Sequence, residues 1–195
     1  MKINQDLLIE ELLTFNNNAI SSAIRFKELT EKELNWKKDA GQWSILECLE
    51  HLNLYGDYYL PEIEKQVLLS PKVPVSTVFK SGVLGNYFAN LMKADGDKIK
   101  KMKSPKDKNP INSNLSVLTI DRFLKQEEKL RILLKQSEKI DLASLKVPTS
   151  LSKMIKLRLG DTLRFYVYHI DRHILQAQKN VRMIPLGKHS LSLID

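Results

Sequence analysis

Apolar residues recur at spacings of three and four along four stretches of the chain, as in helices that bury one face. In the first stretch, for example, Leu8, Leu12 and Phe15 share such a face. The predicted helices run from about Gln5 to Lys27, from Ser44 onward, from about Ile120 to Lys139, and over about 162–179. No strong strand alternation and no internal repeat is visible, so the pattern predicts an all-α fold built on four helices.

Polar residues and one proline predict where these helices begin and end. Ser44 and Glu47 have capping-box spacing, in which each side chain bonds the backbone N–H of the other residue. Thr119 and Asp161 stand where the third and fourth helices should begin, and each is predicted to be a cap. Pro61 is predicted to kink or break the second helix, because proline lacks the N–H and clashes with the preceding turn.

Prolines and glycines interrupt the link over residues 70–118, although SGVLGNYFANLM within it favours a short helix. A link of this length suits a four-helix bundle with a long crossover, in which helices two and three need not be antiparallel neighbours. Further along the chain, KVPTSLSKMIKLRLG is predicted to be irregular or partly helical. The tail, VRMIPLGKHSLSLID, is predicted to be extended along the surface.

Size and composition fit one globular domain over residues 1–195, with 43% apolar and 28% charged residues. The chain has no unbroken apolar run of the kind that a signal peptide or a membrane span needs. Its one cysteine, Cys48, cannot form an intrachain disulfide and fits a reducing compartment. These features predict a cytoplasmic protein with no membrane segment.

The net charge of +8 raises the possibility of nucleic-acid binding, but the distribution of charge argues against it. The strongest basic run, over residues 93–110, mixes lysines with aspartates and contains no aromatic residue on which a base could stack. We therefore expect a solvated loop there and no nucleic-acid partner.

Two histidines, His169 and His173, lie four residues apart on the predicted last helix, and His51 lies next to the core position Leu52 on the second. Residues four apart share a helix face, so two imidazoles at this spacing can bind one ion. The sequence HIDRH lacks the glutamate of the HExxH motif of zinc proteases. Spacing alone leaves two readings open, a metal site and ordinary hydrogen-bonded histidines of a helical core.

Two blocks of the sequence resemble the signatures of the DinB-like superfamily. GQWSILECLEHL (41–52) is similar to the first, a Trp-Ser pair that opens a helix with a histidine near the end of its second turn. FYVYHIDRHILQAQK (165–179) is similar to the second, an HxxxH on the last helix. The resemblance implies an up-down-down-up four-helix bundle with a long crossover between helices two and three. It also implies a divalent metal, most often zinc or nickel, bound by His51, His169 and His173, and frequently a homodimer.

Three neutral imidazoles would leave a coordination position open, as in catalytic rather than structural zinc sites. The resemblance implies a metal-dependent enzyme acting on a small molecule, with a low-molecular-weight thiol as cosubstrate in transferase-type chemistry. Two alternatives stay open, a metal-dependent hydrolase and a non-catalytic metal-binding module of a stress response. No carboxylate stands at an obvious position for the general base that hydrolysis needs.

Three residues near the histidines are candidates for a substrate pocket. Tyr55 lies four residues after His51, and Gln176 lies three after His173, so both side chains could line the same groove. Packing between helices is the alternative role for both. Arg172 could orient an anionic substrate or pair with a nearby acid.

Other residues close to these blocks are predicted to have structural roles or none at the site. Trp36 and Trp43 are predicted to pack next to the second helix, and Cys48 to be a small buried side chain. Asp171 should point away from the histidine face, and His189, in the tail, is not expected to be a ligand.

Overall fold

The computed structural model describes residues 1–70, 76–94 and 102–185. Within them the fold is mostly helical, with six α-helices, one 3₁₀ turn and two small two-stranded sheets. The elements are β1 (Lys2–Asn4), α1 (Gln5–Phe26), α2 (Glu31–Leu34), α3 (Ile45–Leu68), β2 (Val78–Lys80), α4 (Val83–Met92), the 3₁₀ turn (Lys106–Lys108), α5 (Leu118–Ser137), β3 (Lys146–Thr149), β4 (Ser152–Arg158) and α6 (Leu159–Met183). The pattern predicted an all-α fold. The mostly helical character is confirmed, with α1, α3, α5 and α6 corresponding to the four predicted helices, but the two small sheets were not predicted.

The four long helices pack in a restricted set of pairs. α3 lies against α5 and α6, and α1 lies against the same two helices. The short helix α4 packs on α6. Because α3 and α6 are in direct contact, the histidine-bearing faces of these two helices can meet.

The start of α3 confirms the predicted capping box. The Ser44 hydroxyl accepts from the Glu47 N–H at 3.1 Å, and the Glu47 carboxylate accepts from the Ser44 N–H at 2.7 Å. Pro61 was predicted to kink or break this helix; it does not break it, because α3 continues through Pro61 to Leu68. Ile63 and Val67, beyond the proline, are buried in the core, and this packing offsets the loss of one backbone hydrogen bond.

The predicted caps of the last two long helices are wrong. α5 begins at Leu118, so Thr119 lies inside its first turn, and Val117 at the N-cap makes no side-chain cap bond. α6 begins at Leu159, so Asp161 also lies in a first turn. The buried Asp161 carboxylate instead accepts hydrogen bonds from the Gly82 N–H at 2.8 Å and from the Ser81 hydroxyl. It therefore fixes the start of α4 against α6.

The stretch predicted to be irregular or partly helical is an antiparallel hairpin of β3 and β4. Val147 and Leu157, which pair with each other, are buried, and so is Thr149, whereas Lys153 and Met154 on β4 are exposed. A single buried residue on β4 is too little to produce an alternating pattern, which explains why the hairpin was not predicted. The second small sheet pairs β1 with β2 and joins the start of the chain to the residues before α4.

Part of the predicted tail and of the basic run lies outside the described residues. α6 extends to Met183, so the first residues of the tail are helical rather than extended. The rest of the tail, 186–195 with His189, and residues 95–101 of the basic run lie outside the described residues. Among the helices that are described, none combines the length and the apolar character that crossing a membrane requires.

Candidate metal centre

Three histidine side chains meet where α3 faces α6. His51 lies on α3, and His169 and His173 lie one turn apart on α6. The ring centres are 5.0 Å apart for His51 and His169, 4.6 Å for His51 and His173, and 4.7 Å for His169 and His173. One nitrogen of each ring lies within 4.8 Å of the other two. The three residues predicted as ligands therefore form one cluster that could hold a metal ion.

The cluster is almost closed to solvent, with exposed fractions of 3% for His51, 4% for His169 and 8% for His173. Burial lowers the pKa of His51 to about 4. The hydrogen bond that His51 donates to the Lys108 carbonyl raises this pKa, and the Lys108 charge lowers it. Burial also holds the pKa of His169 and His173 well below the usual range, and charge on the neighbouring histidines acts in the same direction. All three rings are therefore neutral near pH 7, the form that binds metal.

Two of the three rings have their proton position fixed by an acceptor. His51 Nδ1 lies 2.5 Å from the Lys108 carbonyl oxygen, which can only accept a hydrogen bond. His173 Nδ1 lies 3.0 Å from Gln176 Oε1, which also accepts. Both rings therefore carry their proton on Nδ1 and leave Nε2 with a free lone pair. Metal-binding histidines in proteins commonly have this second hydrogen bond.

The third ring, His169, has a different environment. Its Nε2 lies 3.1 Å from His51 Nε2. Its Nδ1 is buried and has no hydrogen-bond partner within the described parts of the chain. A neutral His169 must place its single proton either on Nε2, between the two rings, or on Nδ1, where no acceptor faces it. A cation between the rings would use both Nε2 lone pairs and remove the competition for one proton.

These distances fit a first-row divalent metal ion. Zinc binds imidazole nitrogen at about 2.0–2.1 Å, which puts two tetrahedral nitrogen ligands roughly 3.3–3.4 Å apart. The Nε2 pair at 3.1 Å is close to this separation, and the ligand atoms of all three rings lie within 4.8 Å of one another. Imidazole nitrogen is a donor that suits zinc, nickel and copper.

Aromatic rings form the walls around the cluster. The Trp43 ring lies 4.5 Å from the His51 ring and 5.5 Å from the His173 ring, centre to centre. The Phe165 ring stacks nearly parallel on His169 at 6.0 Å. Trp43 was predicted only to pack next to the second helix; it does so, and it also covers two of the histidines. These rings exclude water from two sides of the cluster.

The three predicted pocket residues have different surroundings. Tyr55 is buried with its ring 4.9 Å from His51 and 4.5 Å from His169, so it lines the site. Burial, followed by Tyr59 and Asp107, raises the pKa of Tyr55 to about 12, so its phenol keeps its proton. Gln176 bonds His173 and so supports a candidate ligand directly.

Arg172 is buried beside the cluster, and its charge lowers the pKa of both His169 and His173. It therefore gives the site a positive neighbour. Cys48 is fully buried as predicted, and burial raises the pKa of its thiol far above the usual range. Asp171 is half-buried; burial raises its pKa, and the charge of Lys93 opposes this shift.

A loop that the sequence did not single out lies against the cluster. Residues 104–112, which we call the strap, bring the Lys108 carbonyl to His51 and Asn109 to Trp43, whose indole N–H donates to Asn109 Oδ1 at 3.0 Å. The strap is the end of the basic run that was predicted to be a solvated loop. That prediction is wrong for Lys108, whose backbone contacts the site. A backbone carbonyl has no signature in a side-chain pattern, so sequence spacing could not reveal it.

Comparison with known proteins gives one finding about the family. The family model described as DinB superfamily matches residues 21–177, a span that includes the three histidines, all of α3 and α5, most of α6 and the last turn or so of α1. No curated protein and no solved structure matches the chain.

Proposed function

Because this chain belongs to the DinB superfamily, we propose that it is a metal-dependent enzyme in which His51, His169 and His173 hold one divalent ion, zinc or nickel. The observation that carries the proposal is the convergence of three buried, neutral imidazoles within 4.8 Å. Three neutral ligands leave an open coordination position and leave the ion its full charge. Such an ion, when bound, lowers the pKa of a thiol or water at the open position.

We propose transferase-type chemistry with a low-molecular-weight thiol and a small electrophilic substrate. The thiol loses its proton to solvent, its sulfur forms a bond to the electrophilic carbon, and the leaving group departs with its electron pair. Within the described residues, the ring contacts and hydrogen bonds of the three histidines involve aromatic, amide and backbone groups and no carboxylate. This favours thiol transfer over hydrolysis, because hydrolysis by a bound water needs a general base.

The side chains around the cluster would act on the substrate rather than on the ion. Trp43 and Phe165 would keep water out, so that charges inside the site act more strongly on one another. The protonated phenol of Tyr55 is a hydrogen-bond donor for a substrate oxygen. Arg172 would favour an anionic substrate, since its charge lies close enough to lower the pKa of two of the histidines.

For the fold, we propose that the chain is a single domain in which α1, α3, α5 and α6 form an up-down-down-up bundle. Residues 69–117, between α3 and α5, would make the crossover. The packing of α1 and of α3 on both α5 and α6 supports this arrangement, as does family membership.

Metal analysis and a transfer assay test the proposed function. The untagged protein, purified without chelator, should contain close to one equivalent of zinc or nickel per chain, and His169→Ala should contain much less. The metal-loaded protein should conjugate an electrophilic acceptor to at least one of several cellular thiols, and chelation should stop it. Metal content without any thiol transfer would instead favour the non-catalytic module. Full metal content in His169→Ala would remove the proposed site.

A further inference from the structure

We propose that the strap, residues 104–112, is a positioning element that holds His51 in the one tautomer that can bind the metal, and that Asn109 and Asn112 are its anchors. The inference rests on the metal site proposed above. It concerns residues that lie outside the histidine cluster and assigns them a role in metal affinity.

The contact with His51 determines which nitrogen faces the other ligands. The Lys108 carbonyl oxygen lies 2.5 Å from His51 Nδ1, so the proton is held on Nδ1 and the lone pair on Nε2. Nε2 is the atom that lies 3.1 Å from His169 Nε2. The carbonyl is itself oriented within the strap, because Lys108 N–H donates to the Pro105 carbonyl at 3.1 Å and the Ser104 hydroxyl donates to Lys108 O at 3.2 Å.

The first anchor is next to this carbonyl in the sequence. Asn109 Oδ1 accepts a hydrogen bond from the Trp43 indole N–H at 3.0 Å. The same Trp43 ring lies 4.5 Å from the His51 ring. One tryptophan therefore contacts both the strap and the ligand that the strap positions, which fixes the carbonyl and the imidazole relative to each other.

The second anchor is Asn112, at the end of the strap. Its backbone N–H donates to Glu47 Oε1 at 2.5 Å, and its side-chain Oδ1 accepts from Lys37 Nζ at 2.9 Å. Its φ of 61° is the left-handed conformation, which asparagine adopts more readily than most residues. Glu47 is buried, caps α3 and lies one helical turn before His51, so this anchor ties the strap to the same helix that carries the ligand.

Losing both anchors should free the Lys108 carbonyl and allow His51 to exchange between its two tautomers and to rotate. Groups that orient metal ligands through their second nitrogen commonly change metal affinity about 10–100-fold when removed. We expect an effect of this size on zinc affinity from residues that do not touch the ion.

The test compares zinc affinity among four proteins by competition with a chromophoric chelator. The double variant, Asn109→Ala with Asn112→Ala, keeps the backbone N–H at 112 but loses the side-chain acceptors for Trp43 and Lys37 and disfavours the left-handed φ at 112. It should bind zinc about 10–100-fold more weakly than the wild type. Asn109→Asp keeps the acceptor oxygen and adds a negative charge that attracts a cation, so it should bind zinc at least as tightly as the wild type. Lys106→Ala, an exposed strap residue with no side-chain bond to the rest of the chain in the described structure, is the matched control and should also be unchanged.

A second measurement separates positioning from general damage. Nitrogen NMR of the imidazoles in the zinc-free protein should show His51 with its proton on Nδ1 in the wild type and a mixture of tautomers in the double variant. If the double variant does not fold, Trp43→Phe removes the indole donor while keeping an aromatic ring on His51, and it should reproduce part of the loss of affinity.

The outcomes are distinguishable. A wild type that binds no zinc and no nickel overturns the proposed function. A wild type that binds zinc, together with a folded double variant that binds it equally well and keeps a single His51 tautomer, overturns the role of the strap alone.

Discussion

Raising the pH from 7 to 9 should destabilise the folded chain through one side chain, Glu127, that lies away from the metal centre. Glu127 is on α5 with an exposed fraction of 0%, and its carboxylate accepts a hydrogen bond from Asn16 Nδ2 at 2.7 Å. Two oxygens of this pair, Glu127 Oε1 and Asn16 Oδ1, have no hydrogen-bond partner within the described residues. When Glu127 is ionised, both oxygens are acceptors and cannot bond each other. When Glu127 is protonated, its carboxyl O–H can donate to the Asn16 oxygen.

Burial raises the pKa of Glu127 to about 8, and the hydrogen bond from Asn16 opposes this shift only in part. In the unfolded chain the same carboxyl has its ordinary pKa of about 4.5. The folded state therefore binds the proton more tightly, so the contribution to stability is complete below about pH 4.5 and is lost as the pH rises through about 8. Tyr166 on α6 stays neutral between pH 7 and pH 9, because burial, and then the charge of Glu127, raises its pKa well above the usual range. It therefore does not change the charge around Glu127 in this pH range.

The magnitude follows from linkage. A carboxyl that titrates at about 8 in the folded state and far lower in the unfolded state changes the free energy of unfolding by about 1.4 kcal/mol between pH 7 and pH 9. For a chain of this length, such a loss lowers the melting temperature by roughly 3–6 °C. The histidines change the free energy of unfolding little between pH 7 and pH 9, because above about pH 7 they are neutral in both the folded and the unfolded state.

The matched variant is Glu127→Gln, which has nearly the same shape and cannot ionise. Its amide oxygen can accept from Asn16 Nδ2 and its amide N–H can donate to Asn16 Oδ1, so both atoms of the pair gain partners. Urea unfolding in the presence of chelator, from pH 7 to pH 9, should show a loss about 1.4 kcal/mol larger in the wild type than in Glu127→Gln, which becomes the more stable protein at pH 9. Parallel profiles for the two proteins would refute the reasoning, since Glu127 would then be ionised already at pH 7.

Two further predictions concern the site and the helix that packs beside it. Zinc at about 100 times its dissociation constant should stabilise the wild type by about 2.7 kcal/mol, and His51→Ala should lose this zinc-induced rise in melting temperature. Leu52→Ala should keep the zinc-induced rise but melt at a lower temperature both with zinc and with chelator, because the cavity costs about 2–5 kcal/mol. A zinc-induced rise that persists in His51→Ala would contradict the assignment of His51 as a ligand. Gly85→Ala should destabilise the chain by several kcal/mol, on the scale of an overpacked core, because a Cβ there would overlap the buried Asp161 carboxylate. Gly41→Ala, where a Cβ meets nothing within 4 Å, is the control, and equal chemical denaturation midpoints for the two would disprove the close contact.

The histidine cluster could be predicted from the sequence because it depends on local spacing. Four residues make one helical turn, which fixes His169 relative to His173 before any tertiary contact forms. His51 could be added because its helix begins at an unambiguous capping box, Ser44 with Glu47, and because its block resembles a family signature. The structure then brings the three rings within reach of one ion.

The parts that could not be predicted depend on contacts between residues distant in the sequence. Asp161 has the chemistry of a helix cap, but its partners are Ser81 and Gly82, which local spacing cannot identify. Lys108 contributes a backbone carbonyl, which every residue has. Pro61 has an unfavourable local preference that the packing of residues beyond it overrides. In each case the tertiary structure decides what the local pattern leaves open.

The pairing of the long helices has a consequence for how the chain folds. α1 and α3 follow each other in sequence, but their extensive contacts are with α5 and α6. Among the described residues, α3 and α5 are the consecutive long helices with extensive mutual contact, and residues 69–117 separate them. No early α-hairpin of neighbouring long helices can therefore form a local nucleus, and every such contact requires closure of a long loop. Folding rates fall as contacts become more distant in sequence. We expect this helical chain to fold more slowly than an up-down-up-down bundle of equal length, with a transition state that contains helices from both halves of the chain.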